Sequence, residues 1–354
     1  MKLFDLLGRI IDKGVAQVRT AIWSGLHFLV DMVCAWAMYA FFCEGNYSSF
    51  LIYNFCAFAL QLPFGTFLDL YRKECHGLPA FCASLGAGIT LIGAYLHPAI
   101  LGIGNALFHT GAGVDVIEED FACNRQGRYL GIFVAPGAIG LYLGMLLGKR
   151  TGHPVVGVIA GVMMLLLLLC RLQRDTTDVQ RAYPASRGGK NLIMLAFCCL
   201  AVVIIRSLVG LSVSFPWKAF PLMAALAVCC AAAGKCCGAF LSARFGICRT
   251  ATATLLLSSV CYLLGDAGVF GLAAVFLFNM TMPLTLYLLA DKLRGLPGFA
   301  FGLLTFGLFL GFLPVYWKMD SGFAPGILGA AGSMISCILL IAAERLGKYD
   351  AISS

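Results

Sequence analysis

The chain is built from long apolar runs separated by short polar breaks. A helix that crosses a bilayer needs about 20 mostly apolar residues, with a range of roughly 17–25. Twelve runs approach or meet that length, at 20–43, 47–68, 78–96, 98–116, 128–148, 153–170, 191–214, 217–241, 250–265, 267–290, 297–317 and 323–343. Pro98, Gly265 to Asp266 and Gly322 mark turns only a few residues long. One extended polar stretch, 171–190, divides the runs six and six. The pattern predicts an all-α integral membrane protein of twelve transmembrane helices. Its expected parts are an amphipathic segment 1–19, a first six-helix bundle 20–170, a linker 171–190, a second six-helix bundle 191–345 and a tail 346–354.

Composition agrees with the pattern. Of 354 residues, 60% are apolar and 12% charged, where an ordinary soluble domain carries about 45–50% and about 25%. So few charges cannot cover the water-facing surface of a globule of this size, which excludes a soluble enzyme and a disordered chain. The net charge of +8 would suit a nucleic-acid partner if it were clustered, but it follows the loops instead. With twelve spans both termini share one side, and nineteen of the 25 lysines and arginines fall there. That asymmetry predicts cytoplasmic termini in the plasma (inner) membrane and removes the case for nucleic acid. The first 19 residues carry Lys2, Arg9, Lys13 and Arg19 and no long apolar core, unlike a secretory signal. Leu3, Phe4, Leu7, Ile10, Ile11, Val15 and Val18 recur at helical spacing, as in a helix lying on the membrane surface.

Most of the sixteen cysteines lie inside apolar runs, where a free thiol packs as a small hydrophobe. The C-C-x5-C-C run at 229–237 lacks an accompanying histidine or acid, so no metal site is expected. There is no G-x-x-x-x-G-K-[ST], H-E-x-x-H or G-x-S-x-G pattern. No enzymatic activity and no cofactor are expected.

The two halves echo each other. Gly65 to Lys73 (G-T-F-L-D-L-Y-R-K) returns as Gly238 to Gly246 (G-A-F-L-S-A-R-F-G), and Asn105 returns as Asn279. Parallel repeats of this kind are typical of transporters whose two bundles rock about a midplane site. Across its length the chain resembles the major facilitator superfamily. The spacing of Gly65, Asp69, Arg72 and Lys73 is similar to that family's loop 2–3 signature, with Gly238 and Arg244 in the second copy and Ser242 in place of an aspartate. The resemblance implies a gating role for these loops. The fifth run, G-I-F-V-A-P-G-A-I-G-L-Y-L-G, resembles the Gly/Pro-rich motif of proton-driven exporters, which favours export. H-F-L-V-D at 27–31 and the Phe108–His109 pair resemble the fosmidomycin-resistance exporter branch.

Ionisable residues inside a span are costly and mark function by default. Apart from Lys235 in run 8, those away from the run ends fall in runs 1, 4 and 7, with polar amides and hydroxyls in runs 4 and 10. His27 and Asp31 are four apart and share a helix face, as do Asn105 and His109. Asp31, His27 and His109 are the candidates for proton coupling. Arg206, whose planar fork suits a carboxylate or phosphonate, is the candidate anchor for an anionic or zwitterionic solute, with Asp31 as its partner when no solute is bound. Asn105, Asn279 and Thr281 are expected to add hydrogen bonds. Asp115, near the cytoplasmic end, and Lys235, placed to snorkel from span 8, are further candidates. Trp23, Tyr39, Trp217 and Trp317 read as interfacial anchors.

The expected function is proton-coupled alternating access for a small organic solute, by a monomer whose partners are solute, protons and lipid. The alternative is a membrane receptor-like sensor or scaffold that keeps the fold.

Overall fold

The structure is a computed structural model that describes residues 2–43, 47–75, 77–150, 154–172, 190–319 and 322–352. Among the described residues ten helices are long and apolar enough to cross a membrane: α1 (Gly14–Phe42), α2 (Tyr47–Tyr71), α3 (Leu78–Leu96), α4 (Pro98–Ala122), α5 (Arg128–Arg150), α7 (Lys190–Ser212), α8 (Pro221–Phe245), α10 (Gly268–Lys292), α11 (Pro297–Tyr316) and α12 (Pro325–Lys348). Two shorter apolar helices, α6 (Val155–Arg171) and α9 (Ile247–Leu263), complete the twelve. The protein is a multi-pass membrane protein, and each expected run coincides with one helix.

Proline sets several boundaries. Pro79, Pro98, Pro221, Pro297 and Pro325 stand in the first turns of their helices, where the missing N–H leaves no bond unmade. Three other prolines interrupt helices near their middles. The regular helix pauses at Leu60 before Pro63, at Ala135 before Pro136 and at Met280 before Pro283. A proline cannot return a bond to the carbonyl four residues earlier, so each break frees backbone acceptors inside the bundle.

The packing repeats between the halves. In the first, α1 lies along α5 and α6, α3 along α4 and α6, and α2 against α4. In the second, α7 lies along α11 and α12, α9 along α10 and α12, and α8 against α10. The halves meet through α2 with α11 and α5 with α8. Both crossings use small residues, as close helix approach requires. Gly65 and Gly298 are so close that a Cβ on either would strike the other's backbone, and a Cβ on Gly131 would strike Ala239.

Two expected segments read differently. The helix of α1 begins at Lys2 and runs unbroken into the span, so the surface segment and first span are one rod. The side chains of 2–13, which carry most of the expected apolar stripe, lie outside the described residues, as does 173–189 of the linker. The α12 helix continues to Ile352, through most of the expected tail.

Candidate functional site

Three side chains of the first half meet in the interior. Asp31 lies one turn beyond His27 on α1, and His109 faces it from α4. The Nε2 of His27 is 3.2 Å from Asp31 Oδ2, and the Nε2 of His109 is 3.4 Å from Asp31 Oδ1. The imidazole rings stand edge to face with centroids 4.4 Å apart. His27 and Asp31 are buried.

Backbone carbonyls orient both rings. His27 Nδ1 donates to the Phe133 carbonyl at 2.8 Å, and His109 Nδ1 donates to the Asn105 carbonyl at 2.9 Å. A carbonyl only accepts, so each Nδ1 carries its hydrogen and each Nε2 is the atom left to face the carboxylate. The α5 break supplies this arrangement. Pro136 leaves the Ile132 carbonyl without its helical donor, and Ser24 Oγ donates to it at 3.1 Å. The Phe133 carbonyl, one residue on, receives His27. The sequence that reads as an exporter motif therefore holds a ring of the triad in place.

Asn105 supports the carboxylate from α4. Its Nδ2 lies 3.3 Å from Asp31 Oδ1 and 3.4 Å from Cys34 Sγ. The Cys34 thiol in turn hydrogen-bonds Tyr53 of α2. Sequence reasoning placed Asn105 against solute; the structure places it against Asp31. Gly137 was missed. A Cβ there would overlap His27 Nε2 and Asp31 Oδ2, and its position directly after Pro136 is the signal that could have found it.

The second half contributes cations. Arg206 of α7 and Lys235 of α8 are half-buried, and Lys235 interacts electrostatically with both Arg206 and Asp31. Arg206 does not pair with Asp31, whose oxygens are engaged by the histidines and Asn105. Its Nε is buried without a hydrogen-bond partner. Lys235 lies near the middle of α8, where its backbone carbonyl faces Gly131 of α5. Asn279 of α10 packs against Gly234, the neighbour of Lys235, and its Nδ2 donates to Val275 of its own helix at 2.8 Å. Thr281 is fully buried and donates to the Phe278 carbonyl at 2.7 Å, so the structure does not bring it to the triad.

The signature loop joins the halves at the end of the bundle that carries the termini. Asp69 accepts from the backbone N–H of Gly298 at 2.9 Å and of Phe299 at 2.7 Å, capping α11 from across the interface. Arg72 pairs with Glu118, lies 3.4 Å from Asp69 and donates to the Gly295 carbonyl at 3.1 Å. Lys73 is exposed beside them. The second copy makes no such bridge. Ser242 donates to Ala239 of its own helix at 3.0 Å, Gly238 packs on Met280, and Arg244 lies over the Phe245 ring. The start of α5 is capped within its own half, by Asp120 accepting from Gly127 N at 2.7 Å and Tyr129 N at 2.9 Å.

Asp115 stands apart from the triad. It accepts from Trp23 Nε1 at 2.7 Å and pairs with Arg171 at 3.0 Å, whose guanidinium lies over the Trp23 ring. Trp23 is therefore wholly buried and is not an interfacial anchor. Trp217 is also buried, donating to the Gly265 carbonyl at 2.7 Å. Trp317 is exposed as expected. The ligand atoms of His27, Asp31 and His109 all lie within 4.8 Å of one another, a spacing that a divalent ion fits although the sequence pointed to no metal.

No family model and no curated protein sequence matches the chain. Solved structures do. A major facilitator superfamily transporter, FucP, in the outward conformation is similar over 96% of this chain and 99% of that one, with a TM-score of 0.66 at 15% identity. The human organic anion transporter MFSD10 is similar over 92% and 99%, with a TM-score of 0.63 at 14% identity. The fold is the major facilitator fold. The E. coli fucose:proton symporter, in a second FucP structure, aligns over the same shares with a TM-score of 0.65 at 15% identity. The likeness spans both bundles, and it extends to the paired halves that the internal repeat predicted.

Proposed function

We propose that the protein is a secondary transporter that moves a small organic anion by proton-coupled alternating access, with the His27–Asp31–His109 triad as the proton site. The carrying observation is the orientation of the two imidazoles. With both Nδ1 hydrogens committed to carbonyls, an unprotonated Nε2 would set its lone pair against a carboxylate oxygen at 3.2 Å or 3.4 Å. A proton at each contact turns repulsion into a charge-assisted hydrogen bond. Desolvation penalises each imidazolium and the Asp31 carboxylate favours it, so the proton load of the triad changes as the bundle opens and hydrates the site.

The Asp69 bridge to α11 is the element whose making and breaking would alternate access, and Asn279 and Arg206 line the path on the second half. The fold of a fucose:proton symporter and of an organic anion transporter supports both parts of this reading. The basic loops favour cytoplasmic termini in the plasma membrane, and the Gly/Pro-rich α5 favours export. Purified protein in proteoliposomes tests the proposal. An imposed pH gradient is expected to drive accumulation of an organic anion against its own gradient, and Asp31→Asn to abolish it while exchange persists. Gradient-independent flux in the wild type would refute proton coupling, and binding without flux would favour the receptor-like alternative.

A further inference from the structure

The second half holds two half-buried positive charges inside its helices, with no acid of its own beside them among the described residues. Its acids are Asp266, Asp291, Asp320, Glu344 and Asp350; of the described ones Asp266 lies in a connection and Asp291, Glu344 and Asp350 lie toward the ends of α10 and α12, whereas Lys235 is central in α8 and Arg206 lies well inside α7. Among the described residues neither cation has a hydrogen-bond or ion-pair partner, and the two repel each other. Across the interface Asp31 is the near acid, and its oxygens are engaged by His27, His109 and Asn105. Each proton taken up by the triad makes the surroundings more positive still.

Charges held away from bulk water without a partner are costly, and inside a membrane they face a pathway or a missing counter-ion. Two features point to a missing anion. Arg206 and Lys235 lie half-buried within their helices, and the Arg206 Nε is buried with no hydrogen-bond partner. Their chemistry is also complementary: a guanidinium offers a planar fork for two oxygens, and an ammonium offers a compact point charge.

We propose that Arg206 and Lys235 form a clamp for a solute carrying two negative charges, with Lys235 selecting dianions over monoanions. The shared chemistry is a pair of anionic oxygens or oxygen groups close enough for both cations, as in a phosphate monoester or a short dicarboxylate. Arg206 takes two oxygens and Lys235 neutralises the second charge, while Asn279 of α10 packs against Gly234, the neighbour of Lys235. This deepens the transport reading by naming its solute class, yet it rests on binding alone and is tested without any gradient.

The test is thermal unfolding of the purified full chain in detergent at pH 7.5 and constant ionic strength, with inorganic phosphate, succinate or acetate added. Phosphate or succinate is expected to raise the wild-type midpoint well beyond acetate. A response to phosphate alone assigns the phosphate-ester class, and a response to succinate alone assigns the dicarboxylate class. Lys235→Met and Arg206→Met are each expected to raise the ligand-free midpoint, because one of two repelling charges is gone. Each is also expected to weaken the dianion response at least tenfold in apparent affinity, while Lys235→Arg retains it. The clamp is overturned if neither dianion exceeds acetate, if Lys235→Met keeps the dianion response, or if that variant is less stable than the wild type. Failure here with intact proton-driven flux in liposomes would remove the clamp and leave proton coupling standing. Loss of gradient dependence with an intact dianion response would do the reverse.

Discussion

Gly137 lies so close to His27 that a single methyl group added to it would overlap the ring's Nε2. The contact joins the α5 break to the triad, because the backbone that supplies the Phe133 acceptor also leaves the space beside Asp31. Gly137→Ala is expected to push His27 off the carboxylate. Overpacking of this kind costs about 1–3 kcal/mol, which a twelve-helix protein can survive. The expected outcome is a monodisperse protein on size-exclusion chromatography whose pH-driven flux falls at least tenfold. Wild-type flux from this variant would show that the triad tolerates displacement.

Asp69 caps α11 from the opposite half, and its counterpart Ser242 bonds only within its own helix. Removing an N-terminal capping side chain costs about 0.5–2 kcal/mol. When the lost cap bridges two bodies, that energy biases their opening. Asp69→Ala is expected to shift the population toward separation of α2 and α11 at the end that carries the termini, by about twofold to thirtyfold. Spin labels on those helices, read as a distance distribution, would show it. Ser242→Ala is expected to leave the same distribution unchanged.

The Asp115 cluster ties α1, α4 and α6 together through Trp23 and Arg171. Hydrogen bonds to charged groups contribute about 1.5–3 kcal/mol each. Asp115→Ala should therefore lower the unfolding midpoint by several degrees. Since the cluster touches neither the triad nor the two cations, the pH dependence of flux should keep its shape. A changed pH profile in a protein of normal stability would give Asp115 a part in proton transfer.

The spans were legible because burial in lipid leaves a direct trace in composition: about twenty apolar residues per crossing, with prolines at the turns. The His27–Asp31 pair was legible for a similar reason, since four-residue spacing fixes a shared helix face. What sequence spacing cannot register is pairing between helices. Arg206 and Asp31 both lie within their spans, yet the oxygens of Asp31 are satisfied by closer groups on α1 and α4. Lys235 has a stem long enough to snorkel, and its electrostatic interaction with Asp31 across the interface leaves no trace in sequence spacing. Trp23 sits where an interfacial anchor would, but the half-buried Asp115 carboxylate from α4 accepts its N–H. Gly137 carries no chemistry of its own, so its role appears only when the side chains around it are in place.

Asn279 and Thr281 share the α10 break and differ in what remains free on each. Thr281 is enclosed, and its hydroxyl donates to the Phe278 carbonyl, which leaves it no reach toward a solute. Asn279 commits its Nδ2 to Val275, but its amide oxygen makes no hydrogen bond among the described residues, and its Cβ packs against Gly234, the neighbour of Lys235. A neutral hydrogen bond contributes about 0.5–1.5 kcal/mol, so Asn279→Ala is expected to weaken solute affinity by about twofold to tenfold. Thr281→Val keeps the shape and removes one internal bond, so it should reduce stability by about 1 kcal/mol and leave affinity unchanged. Titrating the dianion-induced rise in unfolding midpoint for both variants separates the two roles. If Thr281→Val lost affinity and Asn279→Ala did not, the solute path would run along the opposite face of α10.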